Sequence, residues 1–209
     1  MKDCWKALGG ALVHVATLIV VSAAVFVLMR HEMMSGHNIV EGGLVENAQL
    51  VCAALSGLLF LAASRRPSPW SRALLLTAMA LLAMSTRELD AYFDRFFHGA
   101  WAVFAVPFGL VSLYQCVFRS REVVCSLASL WRAPAGRMLE LSTVFLLVFS
   151  RLIGTKRIWV YLCEDEFLSR AAKNLVEEGT ELFGYALVLL CAVEVLVTRP
   201  ARTLPSQDR

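Results

Sequence analysis

Ala73-Leu74-Leu75-Leu76-Thr77-Ala78-Met79-Ala80-Leu81-Leu82-Ala83-Met84 runs, after Ser85-Thr86, straight into Arg87-Glu88-Leu89-Asp90-Ala91-Tyr92-Phe93-Asp94-Arg95-Phe96-Phe97-His98. The first half reads as an apolar helix long enough to enter a membrane. A spanning helix normally stops at a few anchoring residues. This one continues into the acids Glu88, Asp90 and Asp94, the arginines Arg87 and Arg95, and His98. If the helix continues, residues three and four apart share a face. Arg87, Asp90, Asp94 and His98 then form one stripe, and Glu88, Tyr92 and Arg95 a second beside it. The acids sit at a helix C-terminus, where the helix dipole favours cations. Local electrostatics therefore does not explain them.

The rest of the chain has the same apolar character. Of its 209 residues 58% are hydrophobic, and the mean hydropathy is +0.62. A soluble domain is nearer half apolar, and here the apolar residues come in long blocks. The expected fold is all-α: a polytopic membrane helical bundle forming one domain over residues 1–198, with a disordered cytoplasmic tail at 199–209. Six spans are expected, near residues 7–29, 44–63, 70–86, 100–118, 138–154 and 182–197. Each approaches the ~20 residues that cross a hydrocarbon core. Pro107 falls inside the fourth and removes one backbone hydrogen bond. Lys2 and Lys6 resemble a signal-peptide start, but the apolar run that follows exceeds the roughly 7–15 residues of such a segment, so it reads as an uncleaved anchor.

An even number of spans places both termini on one side. With the termini in the cytoplasm, the inner segments hold twelve of the 20 lysines and arginines, among them Lys2, Lys6, Arg65, Arg66, Arg119, Arg121, Arg132 and Arg137. Lysine and arginine bias sets orientation, so the termini are expected inside. The location that follows is a bacterial inner (plasma) membrane. The basic residues are scattered over short loops rather than gathered in a stripe with aromatics, which argues against a nucleic-acid partner.

Three outward segments bring carboxylates to one level. Glu41, Glu46 and Asn47 flank Gly42-Gly43 at the start of the second span. The Arg87–His98 tail ends the third. Before the last span, Phe167, Leu168, Ala171 and Leu175 recur at helical spacing, which predicts a short amphipathic helix lying on the membrane. Glu177-Glu178-Gly179-Thr180-Glu181 follows it. Acids grouped in a low dielectric repel unless a cation, a shared proton or an arginine lies among them. Arg87, Arg95 and Arg151 are the candidate partners. The candidate binding residues are thus Glu46, Arg87, Glu88, Asp90, Asp94, His98, Arg151, Glu178 and Glu181. Asp90, Asp94, His98, Glu178 and Glu181 are also candidate ligands of a divalent cation, since carboxylate-rich sets suit magnesium or calcium.

Six cysteines without CxxC spacing make no zinc site and no disulfide framework. His14, alone in mid-span, reads as a hydrogen-bonding residue between helices, and Ala53 with Gly57 as a close helix contact. No P-loop, GxSxG, HExxH or dinucleotide fingerprint is present.

The segments Glu41-Gly42-Gly43-Leu44-Val45-Glu46, Arg87-Glu88-Leu89-Asp90 and Glu177-Glu178-Gly179-Thr180-Glu181-Leu182-Phe183-Gly184 together resemble bacterial polytopic inner-membrane proteins without an assigned activity. Alkaline ceramidase-like membrane hydrolases share outward acids and histidines, but their HxxxH pair has no counterpart among His14, His31, His37 and His98. The leading expectation is a binding, accessory or assembly subunit whose outer cluster holds a cation, a lipid headgroup or a protein partner, including a second copy of the chain. A membrane-embedded metal-dependent lipid hydrolase is the alternative. A small ion-coupled transporter is the third.

Overall fold

The computed structural model describes residues 2–34, 43–93, 95, 97–160 and 165–198. His37, Glu41, Asp94, Cys163 and the 199–209 tail lie outside them. Among the described residues every regular element is helical: α1 (Lys2–Met34), α2 (Leu44–Ser64), α3 (Ser71–Glu88), α4 (Asp90–Phe93), α5 (Ala100–Phe118), α6 (Ser120–Trp131), α7 (Pro134–Val144), a π-helical turn (Phe145–Phe149), α8 (Ser150–Ile153), α9 (Lys156–Val160) and α10 (Glu166–Val197).

Among the described residues four helices are long and apolar enough to cross a membrane: Leu8–Met34, Leu44–Ser64, Ala100–Phe118 and Leu168–Val197. This corrects the expectation of six spans. The two segments that fall short, α3 and the α7–α8 column, are interrupted by polar groups. In α3 these are Arg72, Thr77, Ser85, Thr86, Arg87 and Glu88. In the column they are Arg137, Glu140, Ser142, Thr143 and Arg151. A helix shielded by its neighbours needs less apolar surface than one facing lipid. α3 is such a helix, packed against α2, α5 and α6.

α2 packs against α3 on one side and α10 on the other. The first contact depends on small residues. Ala53 and Ser56 are fully buried, and a Cβ on Gly57 would lie 2.9 Å from Leu82 Cγ. At the base of the bundle Phe60, Ala73, Leu74, Ala78, Leu130 and Val188 form the main core. Polar contacts fix that end. Ser126 Oγ accepts from the Ala73 amide at 3.0 Å, and Glu122 is paired with Arg72 at 3.0 Å and with Arg119 at 2.7 Å. The Arg119 hydrogen bond holds Glu122 below the usual carboxylate range.

Large apolar side chains cover the outside of α1 and α5, including Leu12, Ile19, Phe26, Val103 and Leu110, each at least half exposed. Apolar patches of this extent are rare on soluble monomers. On helices of spanning length, lipid is the medium that matches them. His14 is also exposed on α1, and no hydrogen bond joins it to another helix among the described residues. The five described cysteines, Cys4, Cys52, Cys116, Cys125 and Cys191, are free.

One local expectation is corrected. The helix does not run through Arg87–His98. It ends at Glu88, Leu89 leaves helical geometry at φ −92°, ψ 8°, and α4 is a single turn. The chain must reverse here to start α5, and Gly99 makes that turn at φ +80°. Phe93 stacks on Phe104 of α5 at 4.4 Å between ring centroids, which draws α4 away from the α3 axis. The segment expected to form a helix before the last span is helical and runs into it without a break: α10 is unbroken over 32 residues. The pairs Glu166–Arg170 and Lys173–Glu177 are four apart and support its first turns.

Candidate functional site

At the end of the bundle opposite Glu122, four carboxylates converge from three helices. α2 contributes Glu46, α3 contributes Glu88, and α10 contributes Glu178 and Glu181. Glu178 lies within electrostatic reach of Glu46, Glu88 and Glu177, and Glu181 of Glu178, Glu88 and Arg151. The structure thus brings together five of the nine residues singled out in the sequence: Glu46, Glu88, Arg151, Glu178 and Glu181. Arg87 stands at the margin, exposed but within electrostatic reach of Glu88.

The joint of the cluster is Gln49. Its side chain is fully buried. Its Nε2 donates to the Glu178 carboxylate at 2.8 Å and to the Glu178 backbone carbonyl at 3.0 Å. With Nε2 so committed, Oε1 is left buried and without a hydrogen-bond partner among the described residues. A buried acceptor in that state costs about 1–3 kcal/mol. Tyr185, one turn beyond Glu181 and 2% exposed, donates its hydroxyl to Glu88 Oε1 at 3.2 Å. Burial is the main cause that pushes Glu88 above the usual carboxylate range. The Glu46 charge adds to it, while Arg87, the Tyr185 hydroxyl and Arg151 oppose it.

Arg151 closes one flank. It reaches Glu177 Oε1 at 3.2 Å and Glu181 Oε1 at 2.9 Å. Glu181 is 5% exposed, and the contact at its Oε1 has ion-pair distance without hydrogen-bond alignment. Lys173 pairs with the other oxygen of Glu177 at 2.6 Å. Arg151 is aimed by the π-helical turn before it. One extra residue in a turn rotates everything beyond it by about 100°. Gly154 leaves the room: a Cβ there would lie 2.5 Å from the Glu177 carboxyl carbon. On α1, Glu32 is buried and accepts from the Val45 amide at 2.7 Å. This caps α2 from a neighbouring helix, where Gly43 has no side chain to do so.

The remaining sequence candidates lie elsewhere. Asp90 and His98 are exposed, Arg95 sits over the Tyr92 ring at 5.6 Å, and Asp94 is outside the described residues. The break at Leu89 separates Asp90 and His98 from Glu88, because it turns the chain off the α3 stripe. Among the described residues no three His, Cys, Asp or Glu side chains are grouped to share a metal ion. The ligand set Asp90, Asp94, His98, Glu178 and Glu181 is therefore not assembled from its described members.

The candidate binding residues chosen from the sequence did not include Gln49, Tyr185, Glu32, Glu177 or Lys173. A signal existed for two of them. Gln49 lies three residues after Glu46, and Tyr185 four after Glu181, so each extends a polar stripe already marked by acids. Glu32 carried none, since its role depends on how α1 meets α2.

Fold and site define an all-helical protein with membrane-length apolar helices and a partly buried acidic cluster set between three of its helices. No family model, curated protein or solved structure matches the chain.

Proposed function

We propose that this protein is a non-enzymatic binding or accessory subunit of a bacterial inner membrane, and that its acidic cluster holds a positively charged group. The carrying observation is Gln49: a fully buried amide whose Oε1 is unpartnered beside carboxylates that outnumber their bases. Glu88 and Glu178 are in no ion pair among the described residues, whereas Glu177 and Glu181 are paired with Arg151 and Lys173. A cation bearing N–H groups would complete such a set, donating to Gln49 Oε1 while neutralising Glu178 and Glu88. The lysine and arginine bias supports a cluster facing away from the cytoplasm.

The hydrolase reading has less support, because among the described residues no three His, Cys, Asp or Glu side chains are placed to share one metal ion. The test is thermal unfolding of the full chain in detergent with added methylammonium chloride, against sodium chloride at equal ionic strength and against magnesium chloride. Binding to the folded state raises the midpoint in a saturable way. Methylammonium is expected to do so for wild type and not for Gln49→Leu or Glu178→Gln. Equal responses to methylammonium and sodium would sink the reading, and a saturable response to magnesium alone would favour the hydrolase.

A further inference from the structure

A second feature lies outside the acidic cluster and is independent of it. Between α3 and α7 runs a cavity of about 380 Å³, lined also by Leu146, Val188 and Trp131 of α6. That volume falls within the roughly 300–1,000 Å³ of sites that hold small molecules. Its walls are apolar. The two threonines that line it, Thr77 and Thr143, give their hydroxyls to the carbonyls of Ala73 and Leu139 one turn back on their own helices. Its rim is open to the exposed apolar side chains of Val144 and Leu147.

Charge is concentrated at one end. Trp131 is followed by Arg132, which caps α6, and α7 then carries Arg137 and, one turn later, Glu140 on the cavity wall. All three are exposed. The ion pairs among the described residues are made by other groups. Glu140 lines the slot, Arg132 directly follows the lining residue Trp131 in the chain, and Arg137 comes just before the lining residue Leu139, a set of both signs that matches a headgroup carrying both. A headgroup with a phosphate but no ammonium would meet the arginines and supply no cation to Glu140.

We propose that this cavity is a binding site for one phospholipid with an ethanolamine-type headgroup from the leaflet level with α6. One acyl chain occupies the slot between α3 and α7. The phosphate lies against Arg132 and Arg137, and the ammonium against Glu140.

The test is native mass spectrometry of the full chain in a delipidating detergent, with phosphatidylethanolamine or phosphatidylglycerol of identical chains added. Wild type is expected to retain one phosphatidylethanolamine per chain, at least tenfold in preference to phosphatidylglycerol. Ala80→Trp, which fills the slot, should retain less than a tenth of either lipid. Glu140→Gln is a surface change that leaves the slot open, so it should keep lipid but bring the ratio close to one. Thermal unfolding of both variants checks that the bundle is intact. Equal retention of the two lipids by wild type overturns the proposal. So does an undiminished preference in Glu140→Gln, or a dimer of the chain that Ala80→Trp dissolves.

Discussion

Gln49 and Glu178 are 129 positions apart in the chain and 2.8 Å apart in the structure, joined by a hydrogen bond from a fully buried amide to a half-buried carboxylate. The same amide nitrogen reaches the Glu178 backbone carbonyl. α2 and α10 are thereby fixed in register at the level of the cluster. Replacing Gln49 by leucine keeps the volume similar and removes both donors. Hydrogen bonds to charged groups contribute about 1.5–3 kcal/mol, so Gln49→Leu is expected to lower the unfolding midpoint in detergent, and Gln49→Glu to lower it further by placing like charges together. An unchanged midpoint in both would show that the joint bears no strain.

Arg151 and Glu181 form the second joint. Glu181 is nearly inaccessible while Arg151 is about half exposed, so loss of the arginine strands a buried carboxylate. Arg151→Ala is expected to destabilise more than Glu181→Ala. In a double-mutant cycle the two should couple by about 0.5–3 kcal/mol. Additive effects would mean that the pair is held only by its surroundings.

Titration of Glu88 gives a pH signature. Burial raises this carboxyl above its ordinary value of 4.5, with the Glu46 charge in support. Its proton-bound form is therefore the one the fold favours. The stability it contributes is fully present below 4.5 and is lost as pH rises through the raised value. Glu122 has the opposite sign. Arg119 lowers it, so its contribution is present above 4.5 and is lost as pH falls through the lowered value. Glu88→Gln should flatten the decline above 4.5, and Glu122→Gln the decline below it, in unfolding midpoints measured across pH 3–8 on the order of one unit apart. A wild-type curve unchanged by Glu88→Gln would remove Glu88 from the buried cluster.

Gly136 tests the corner that sets α7 beside α6. A Cβ there would lie 1.9 Å from the Leu130 carbonyl oxygen, whereas one at Gly109 meets nothing within 4 Å. The neighbour is backbone and cannot swing aside. Overpacking of this kind costs about 1–3 kcal/mol or more, so Gly136→Ala should destabilise strongly. Gly109→Ala should be neutral or slightly stabilising by helix propensity. Chemical denaturation of the two variants side by side measures the difference.

Much of this was legible from residues alone, and the reasons are specific. Glu46, Glu88, Glu178 and Glu181 each interrupt or border an apolar run, and a charge in that place needs company whatever the fold. The apolar lengths of α1, α2, α5 and α10 are equally direct, because hydrophobic length is a local property. The acids after Leu89 misled for a reason that is also local. The spacing of Arg87, Asp90 and Asp94 has a helical period, and nothing in that period shows that the chain reverses there. The stacking of Phe93 on Phe104 and the positive φ of Gly99 are where the reversal is made.

By itself the sequence determined helical character, the apolar lengths of the helices and the presence of misplaced acids, since all three follow from the order of side chains along one axis. Only the tertiary structure decided which acids meet. Gln49 against Glu178, Tyr185 against Glu88 and Arg151 against Glu181 depend on the rotation and height of each helix relative to its neighbours. Those are set by small-residue contacts such as Gly57 on Leu82 and by the π-helical turn at Phe145–Phe149. A helix can turn about its axis without any change in its own hydrogen bonds, so its facing is fixed only by what it packs against.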